Sequence, residues 1–385
     1  METTIDIAKK SGPLVSDITG IHDTEVIEDS SELDDLPIPH DYDISSFGAD
    51  FPVESLVNRL NRGDVIIPSF GSYSSDNGEF SGFQRNNVWT KERSDRFIES
   101  LLLGLPVPGI FLVRNKEQQL LVLDGQQRLR SLQKFYENSG NSKLYKLGNK
   151  VHLDFAGKTY ETLDIGDRRR LDDSLIHATV VKQDRPTDDQ SSIYDIFERL
   201  NTGGMNLYPQ EIRIALYHGE FAQLLLDLNE NEDWRLLYGR KSNRLKDLEM
   251  ILRFFAFYYS GDVYKKPMKD FLNKYMSRNR HLTHQSKDEL TDIFEKTTSM
   301  LRNSVGREAF RPEGALNAAV VESVMTGIAK RLQLGPITHC NHIKPRLQKL
   351  FSDNEFIASV KTGTSEENKI ITRHQLSLHS FSNIE

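Results

Sequence analysis

Leu120-Leu-Val-Leu-Asp-Gly-Gln-Gln-Arg-Leu-Arg-Ser-Leu-Gln-Lys-Phe-Tyr136 is the stretch on which the fold turns. Four apolar residues in a row, Leu120 to Leu123, stop at Asp124-Gly125, and beyond them Leu129, Leu132, Phe135 and Tyr136 recur at three- and four-residue spacing. The short unbroken run reads as a buried strand and the later spacing as one face of a helix, with a tight turn between them. At such a turn the first helical N–H groups lack partners and the macrodipole adds partial positive charge, so an anion is favoured there. Gly125 can take the positive φ of a sharp turn, Asp124 can cap the helix or hold a metal-bound water, and Arg128 brings a planar cation to the first turn. Gln126 and Gln127 add donors and acceptors without charge. The plainer alternative is a capped helix start facing solvent, but two glutamines and an arginine beside Asp-Gly exceed what a connection requires.

Working outward, Asn115-Lys-Glu-Gln118 turns an Ile110-Phe-Leu-Val113 strand into the Leu120 strand, so the central strand is one arm of a hairpin. Residues 91–103 read as a helix with Phe97, Ile98, Leu101 and Leu102 on one face and Gly104 as its stop. Before it come a short helix at 55–61, a strand at 65–67 and a Gly/Ser/Asn-rich loop at 71–82. Strands are expected at 151–155 and 177–181, with a helix at 168–176 between them. A helix at 192–200 ends on Asn201-Thr-Gly-Gly204, whose glycines allow close approach of backbone to a ligand, and Pro209 can start a helix over 210–228. From there helical periodicity takes over at 245–259, 268–276, 287–301, 315–332 and 343–351, and from 361 the chain turns polar and is expected to fray.

Asp124-Gly-Gln-Gln-Arg128, preceded by Phe83-Gln-Arg85 with Trp89 and by Glu99-Ser-Leu-Leu-Leu-Gly-Leu-Pro-Val-Pro108, resembles the N-terminal domain of GmrSD-type restriction endonucleases. A second block, Phe197-Glu-Arg-Leu-Asn-Thr-Gly-Gly-Met-Asn-Leu-Tyr-Pro-Gln-Glu211, fits the same pattern, and Asn317 fits more weakly. The resemblance runs from about Leu56 to Tyr217 and implies a ParB/sulfiredoxin-like core whose strand–turn–helix binds nucleotide phosphates, with hydrolysis licensing DNA cleavage. It implies catalytic roles for Asp124, Gln126, Gln127 and Arg128. It also implies nucleotide contacts from Gln84, Arg85, Gly125, Arg130, Asn201, Gly203 and Gly204, with Mg²⁺ at Asp124 as cofactor of a nucleoside triphosphate. The pattern departs at 69–82, which intervenes between the Ile-Pro strand and the Gln-Arg element, and at Asn86, where the family often has proline.

Composition bounds the rest. A chain of 385 residues with 37% hydrophobic content has room for two or three domains with ordinary cores. No apolar run approaches the ~20 residues of a membrane span, and no apolar segment follows a basic start, so a cytoplasmic protein is expected. The single cysteine, Cys340, excludes an internal disulfide framework. Residues 1–50 hold 13 Asp and Glu against 2 Lys, a net −11, which leaves the rest of the chain at +4 within an overall −7. A mildly basic body under an acidic leader can meet phosphate. The leader reads as a solubilising tail; the sharper option is a DNA mimic that inhibits the basic surface.

Other constellations carry less. Gly157-Lys-Thr159 fails as a phosphate loop because the required earlier glycine falls at His152. His339-Cys-Asn-His342 does not complete a zinc site, and Glu211 reads either as an acidic side chain that meets the macrodipole at a helix start or as a functional residue. Trp89 is a base-stacking candidate or an anchor for the helix that follows it. Lys265, Lys266, Arg278 and Arg280 are candidate DNA phosphate contacts. No His-Asn-His nuclease signature follows Asn229; the nearest acid-x-Lys fragment is Glu367-Asn-Lys369.

The expected fold is therefore α/β (α+β): a small mixed ParB/sulfiredoxin-like sheet with helices, then a mainly helical C-terminal region. The expected organisation is an acidic, disordered leader at 1–50, the motif-bearing domain at 51–228, a helical domain at 229–360 and a polar tail at 361–385. The expected function is a nucleotide-hydrolysing switch of a prokaryotic restriction or anti-phage system, acting on DNA with a separate nuclease partner and with oligomerisation open. The rivals are a non-catalytic adaptor sensing modified DNA and a stand-alone ParB-like nuclease.

Overall fold

The four apolar residues at the head of the decisive stretch lie in a strand buried on both faces, Leu120–Asp124, and only Asp124 at its end is exposed. That is why the strand reads as an unbroken apolar run rather than an alternating one. The computed structural model describes residues 43–67, 72–73, 80–81, 89–115, 118–137, 144–185, 193–196 and 208–384. In chain order its first part comprises β1 (Asp43–Pro52), α1 (Val53–Arg62), β2 (Val65–Ile66), β3 (Ser72–Tyr73), β4 (Phe80–Ser81), α2 (Lys91–Leu102), β5 (Ile110–Arg114), β6 (Leu120–Asp124), α3 (Gln126–Tyr136), α4 (Ile165–Asp173) and β7 (Leu175–Arg185).

The five-stranded sheet runs β1-β7-β5-β6-β2, while β3 and β4 pair separately. β1/β7 and β5/β6 are antiparallel, and β5/β7 and β6/β2 are parallel, so the sheet is mixed as expected and the β5–β6 hairpin is present. Ile110, Leu112, Leu120, Val122, Ile176, Ala178 and Val180 join one hydrophobic cluster with residues of α1, α2, α3 and α4. Val113, Leu121, Leu123 and Val181 belong to a second cluster that continues into the helical part of the chain.

That part comprises α5 (Pro209–Leu216), α6 (Glu220–Leu228), α7 (Glu232–Tyr238), α8 (Lys246–Ser260), α9 (Met268–Asn279), α10 (Lys287–Ser304), α11 (Ala318–Gln333), α12 (Ile343–Phe351), α13 (Asn354–Lys361) and α14 (Glu367–Ser382). Sheet and helices thus share a core, and the run of helices begins at Pro209.

Several expectations change. Asp43–Asp50, at the end of the expected leader, belong to β1 and pair with β7, residue by residue from Ile44 on and with a shift of register between Asp43 and Ile44. The strand expected at 151–155 is a set of turns, in which Leu147 N–H donates to the Lys158 carbonyl and Gly157 N–H to that of Leu147. The helix expected over 210–228 is two, broken at His218-Gly219, where a Cβ on Gly219 would lie 2.6 Å from the Arg280 carbonyl oxygen. The tail expected to fray is α14, which buries Ile370, Arg373, Ser377 and Phe381. It packs closely on α11, where a Cβ at Gly327 would lie 3.0 Å from the Phe381 ring.

Candidate functional site

The turn between β6 and α3 is set by Gly125, which caps the helix at φ 97°. A side chain there would be strained by its backbone and would also meet Ile110, whose Cβ lies 2.9 Å from the position of the added carbon. No side chain caps α3, so its first-turn amides face the end of the sheet without the usual side-chain acceptor.

Arg128 does not reach outward. Its Nη1 donates to the carbonyls of Pro108 (2.6 Å) and Gly109 (2.5 Å), and its Nη2 donates to Asp124 Oδ2 (2.7 Å). The guanidinium side chain is 12% exposed and the Asp124 side chain 60%. Arg128 therefore fastens the extended Pro108-Gly109 lead-in of β5 to the end of β6, and the planar fork suits that multi-point task where a lysine would not. Asp124 Oδ1 accepts no hydrogen bond among the described residues, and among them no group of three or more His, Cys, Asp or Glu gathers as a metal cage would require.

The two glutamines divide between neighbours. Gln126 Nε2 donates to the Val122 carbonyl at 3.4 Å, and Gln127 Oε1 accepts the Trp89 N–H at 3.4 Å. Both bonds are long, and both side chains stay partly exposed. Arg130, one turn along α3, is half-buried, and desolvation pulls its pKa down. Trp89 anchors α2: its ring meets Phe97 edge-on at 5.7 Å and carries Arg93 at 4.7 Å. Ser131 Oγ then ties α3 to α2 through Ser94 Oγ at 2.9 Å.

Gln84, Arg85, Asn201, Gly203 and Gly204 lie outside the described residues. The segment that follows the second block is described: Glu211 is buried and accepts the Tyr208 N–H at 2.7 Å, so it closes the start of α5. Asn317 caps α11 by accepting from Ala319 and Val320, and donates to the Val360 carbonyl, which is a structural task.

The candidate DNA contacts are compromised by their neighbours. Lys265 pairs with Glu367 at 3.1 Å and Lys266 with Glu366 at 2.8 Å, while Arg280 Nε donates to the His218 carbonyl. Arg278 is exposed on α9. Glu367, of the acid-x-Lys fragment, has its carboxyl pKa lowered first by the Lys265 hydrogen bond, then by the Lys266 backbone.

One constellation at the same end of the sheet escapes a reading along the chain. Asp50 on β1 and His177 on β7 are register partners, and Asp50 Oδ1 lies 2.8 Å from His177 Nδ1. The ring lies against Gly48, where a Cβ would come within 3.0 Å of Cε1. The His177 carbonyl lies against Gly109, where a Cβ would come within 2.8 Å of the oxygen. Only the pairing of two strands 127 positions apart in sequence creates this contact.

Comparison with known proteins supplies one match: residues 53–218 fit the family described as GmrSD restriction endonuclease, N-terminal domain. No curated protein and no solved structure matches the chain. No helix among the described residues is long and apolar enough to cross a membrane.

Proposed function

From the match of residues 53–218 to the family described as GmrSD restriction endonuclease, N-terminal domain, we propose that this chain is a nucleotide-hydrolysing switch of a DNA-restriction system. In this role it acts with a separate nuclease. The observation that carries the reading is the uncapped first turn of α3, held behind left-handed Gly125 and braced by Arg128. Backbone amides of fixed direction at a helix start are suited to phosphate oxygens, and they need no reorganisation when charge develops on them.

Arg128 contributes in two ways. It fixes the position of the amides through Pro108, Gly109 and Asp124, and it adds positive charge behind them in a site where it is little exposed. Asp124 Oδ1 is the carboxylate oxygen open to a magnesium ion brought in with the triphosphate. Magnesium is commonly held by one or two carboxylates plus phosphates and waters rather than by a protein cage, and when bound it would offset phosphate charge. Gln126 and Gln127, held only by long bonds, are placed to orient a water.

The test is phosphate release from each of the four nucleoside triphosphates, by wild type and by Arg128→Ala, with and without modified DNA. Turnover by the wild type that falls at least ~100-fold in the variant supports the switch. One feature favours the non-catalytic adaptor instead: three donor contacts of Arg128 are made to the protein itself. Duplex binding that weakens steeply with salt, with no turnover and no nucleotide-dependent thermal shift, would put that reading first.

A further inference from the structure

We propose that His177, oriented by Asp50, is the proton acceptor for the water in the hydrolysis reaction, a role that rests on the switch reading above. A neutral imidazole whose Nδ1 hydrogen-bonds a carboxylate must carry its proton on Nδ1, which leaves Nε2 as the basic atom. The Asp50 contact therefore selects the tautomer with a free lone pair. Among the described residues Nε2 has no hydrogen-bond partner, and the His177 side chain is 60% exposed, so this atom is open to a ligand.

Position supports the role. Ile110 is the register partner of Ala178, and Phe111 pairs with Asp124, so the start of β7, the start of β5 and the end of β6 share one end of the sheet. Two strand spacings, roughly 10 Å, separate β6 from β7. His177 alternates with Ile176 and Ala178, which face the cluster under α1 to α4, and so it projects from the opposite face to α3. The sheet end is flanked by the α3 amides on one side and by the imidazole on the other. Gly109 joins them: its carbonyl accepts from Arg128, and its lack of a side chain lets the His177 backbone approach. An exposed cross-strand ion pair needs neither glycine at 48 and 109 nor this place beside the corner.

In the step proposed, the water oxygen forms a bond to the terminal phosphorus while the bond from that phosphorus to the bridging oxygen breaks. The leaving diphosphate takes the electron pair, and the water proton passes to His177 Nε2. Asp50 stabilises the imidazolium and is a positioning residue.

The experiment measures steady-state hydrolysis by full-length wild type, Arg128→Ala, His177→Ala, His177→Gln and Asp50→Asn, together with affinity for a non-hydrolysable triphosphate analogue. His177→Ala is expected to lower kcat ~100-fold with analogue affinity nearly unchanged, and added imidazole to restore part of the rate. Asp50→Asn should lower kcat less, by ~10-fold. Turnover that Arg128→Ala abolishes but both His177 variants retain would overturn the role of His177 alone. Absence of wild-type turnover, or turnover indifferent to Arg128→Ala, would overturn the switch reading and this role with it. If His177→Ala lowers kcat but imidazole restores nothing and His177→Gln is as active as wild type, the residue is not a base.

Discussion

The end of the sheet and the interior of the helical region use charged side chains in opposite ways. Inside the helices Arg213, Glu249, Arg253, Glu322 and Arg373 form a chain of ion pairs across α5, α8, α11 and α14, with none of these side chains more than 13% exposed. Arg373 bonds Glu322 through both Nε and Nη2 and also donates to the Thr364 carbonyl at 2.6 Å. Charges so far from water must be matched, because an unpaired one costs several kcal/mol. At the sheet end, by contrast, Asp124, Asp50 and His177 each make a single strong contact and keep more than half of the side chain in solvent. The first arrangement is complete in itself. The second leaves oxygen and nitrogen atoms turned outward, as a ligand site requires.

The contrast is most sharply tested at Glu322. Replacing it with alanine takes from buried Arg373 its carboxylate partner and leaves Arg253 with Glu249, and unfolding free energy should fall by about 3–5 kcal/mol in urea titrations. An unchanged midpoint would mean that the buried chain is not what holds α14 to α11. Gly125→Ala should cost about 1–3 kcal/mol from the left-handed backbone alone, with a further penalty for displacing Ile110. Here the nucleotide-dependent thermal shift should vanish as well, whereas Glu322→Ala should leave that shift in whatever protein remains folded.

A pH titration separates the regions further. Burial, and then the charge on Arg373, push the His374 pKa down to about 3 from an ordinary 6.5. Its Nε2 is enclosed without a hydrogen-bond partner, and its ring lies 4.7 Å from that of Phe257. The unfolded chain binds this proton more readily than the folded one, so the contribution to stability is intact above pH 6.5 and is lost as pH falls toward 3. His374→Phe should shrink the acid loss in that window, and an identical acid limb would show the ring to be hydrated. The smallest effect is expected at Lys265→Ala. Its pair with Glu367 is open to solvent, so the thermal midpoint should stay within measurement error.

Much of this architecture was legible along the chain because its signals are local. The hairpin, the corner at Asp124-Gly125 and the helices at 91–102 and 343–351 follow from apolar spacing and punctuation within about 20 residues. What was missed depends on distant partners. β1 carries few apolar residues beside an acidic run, and it becomes a strand through hydrogen bonding to β7. The polar sequence of α14 hides a helix because Arg373 and Ser377 are satisfied by Glu322 and the Ser323 carbonyl, so polar residues stand where apolar ones are expected. The apolar residues of 151–155 read as a strand, yet no strand among the described residues pairs with them.

By itself, then, the order of residues determined a glycine turn between a doubly buried strand and an amphipathic helix, inside a segment, 53–218, that fits the GmrSD N-terminal-domain family. Those features rest on steric limits and spacing that act within a few residues. Only the tertiary structure decided that Arg128 braces backbone rather than reaching into solvent, and that Asp50 meets His177 beside the same turn. A side chain's partner is chosen by which strands and loops arrive next to it, and that is a property of the sheet, not of any one segment.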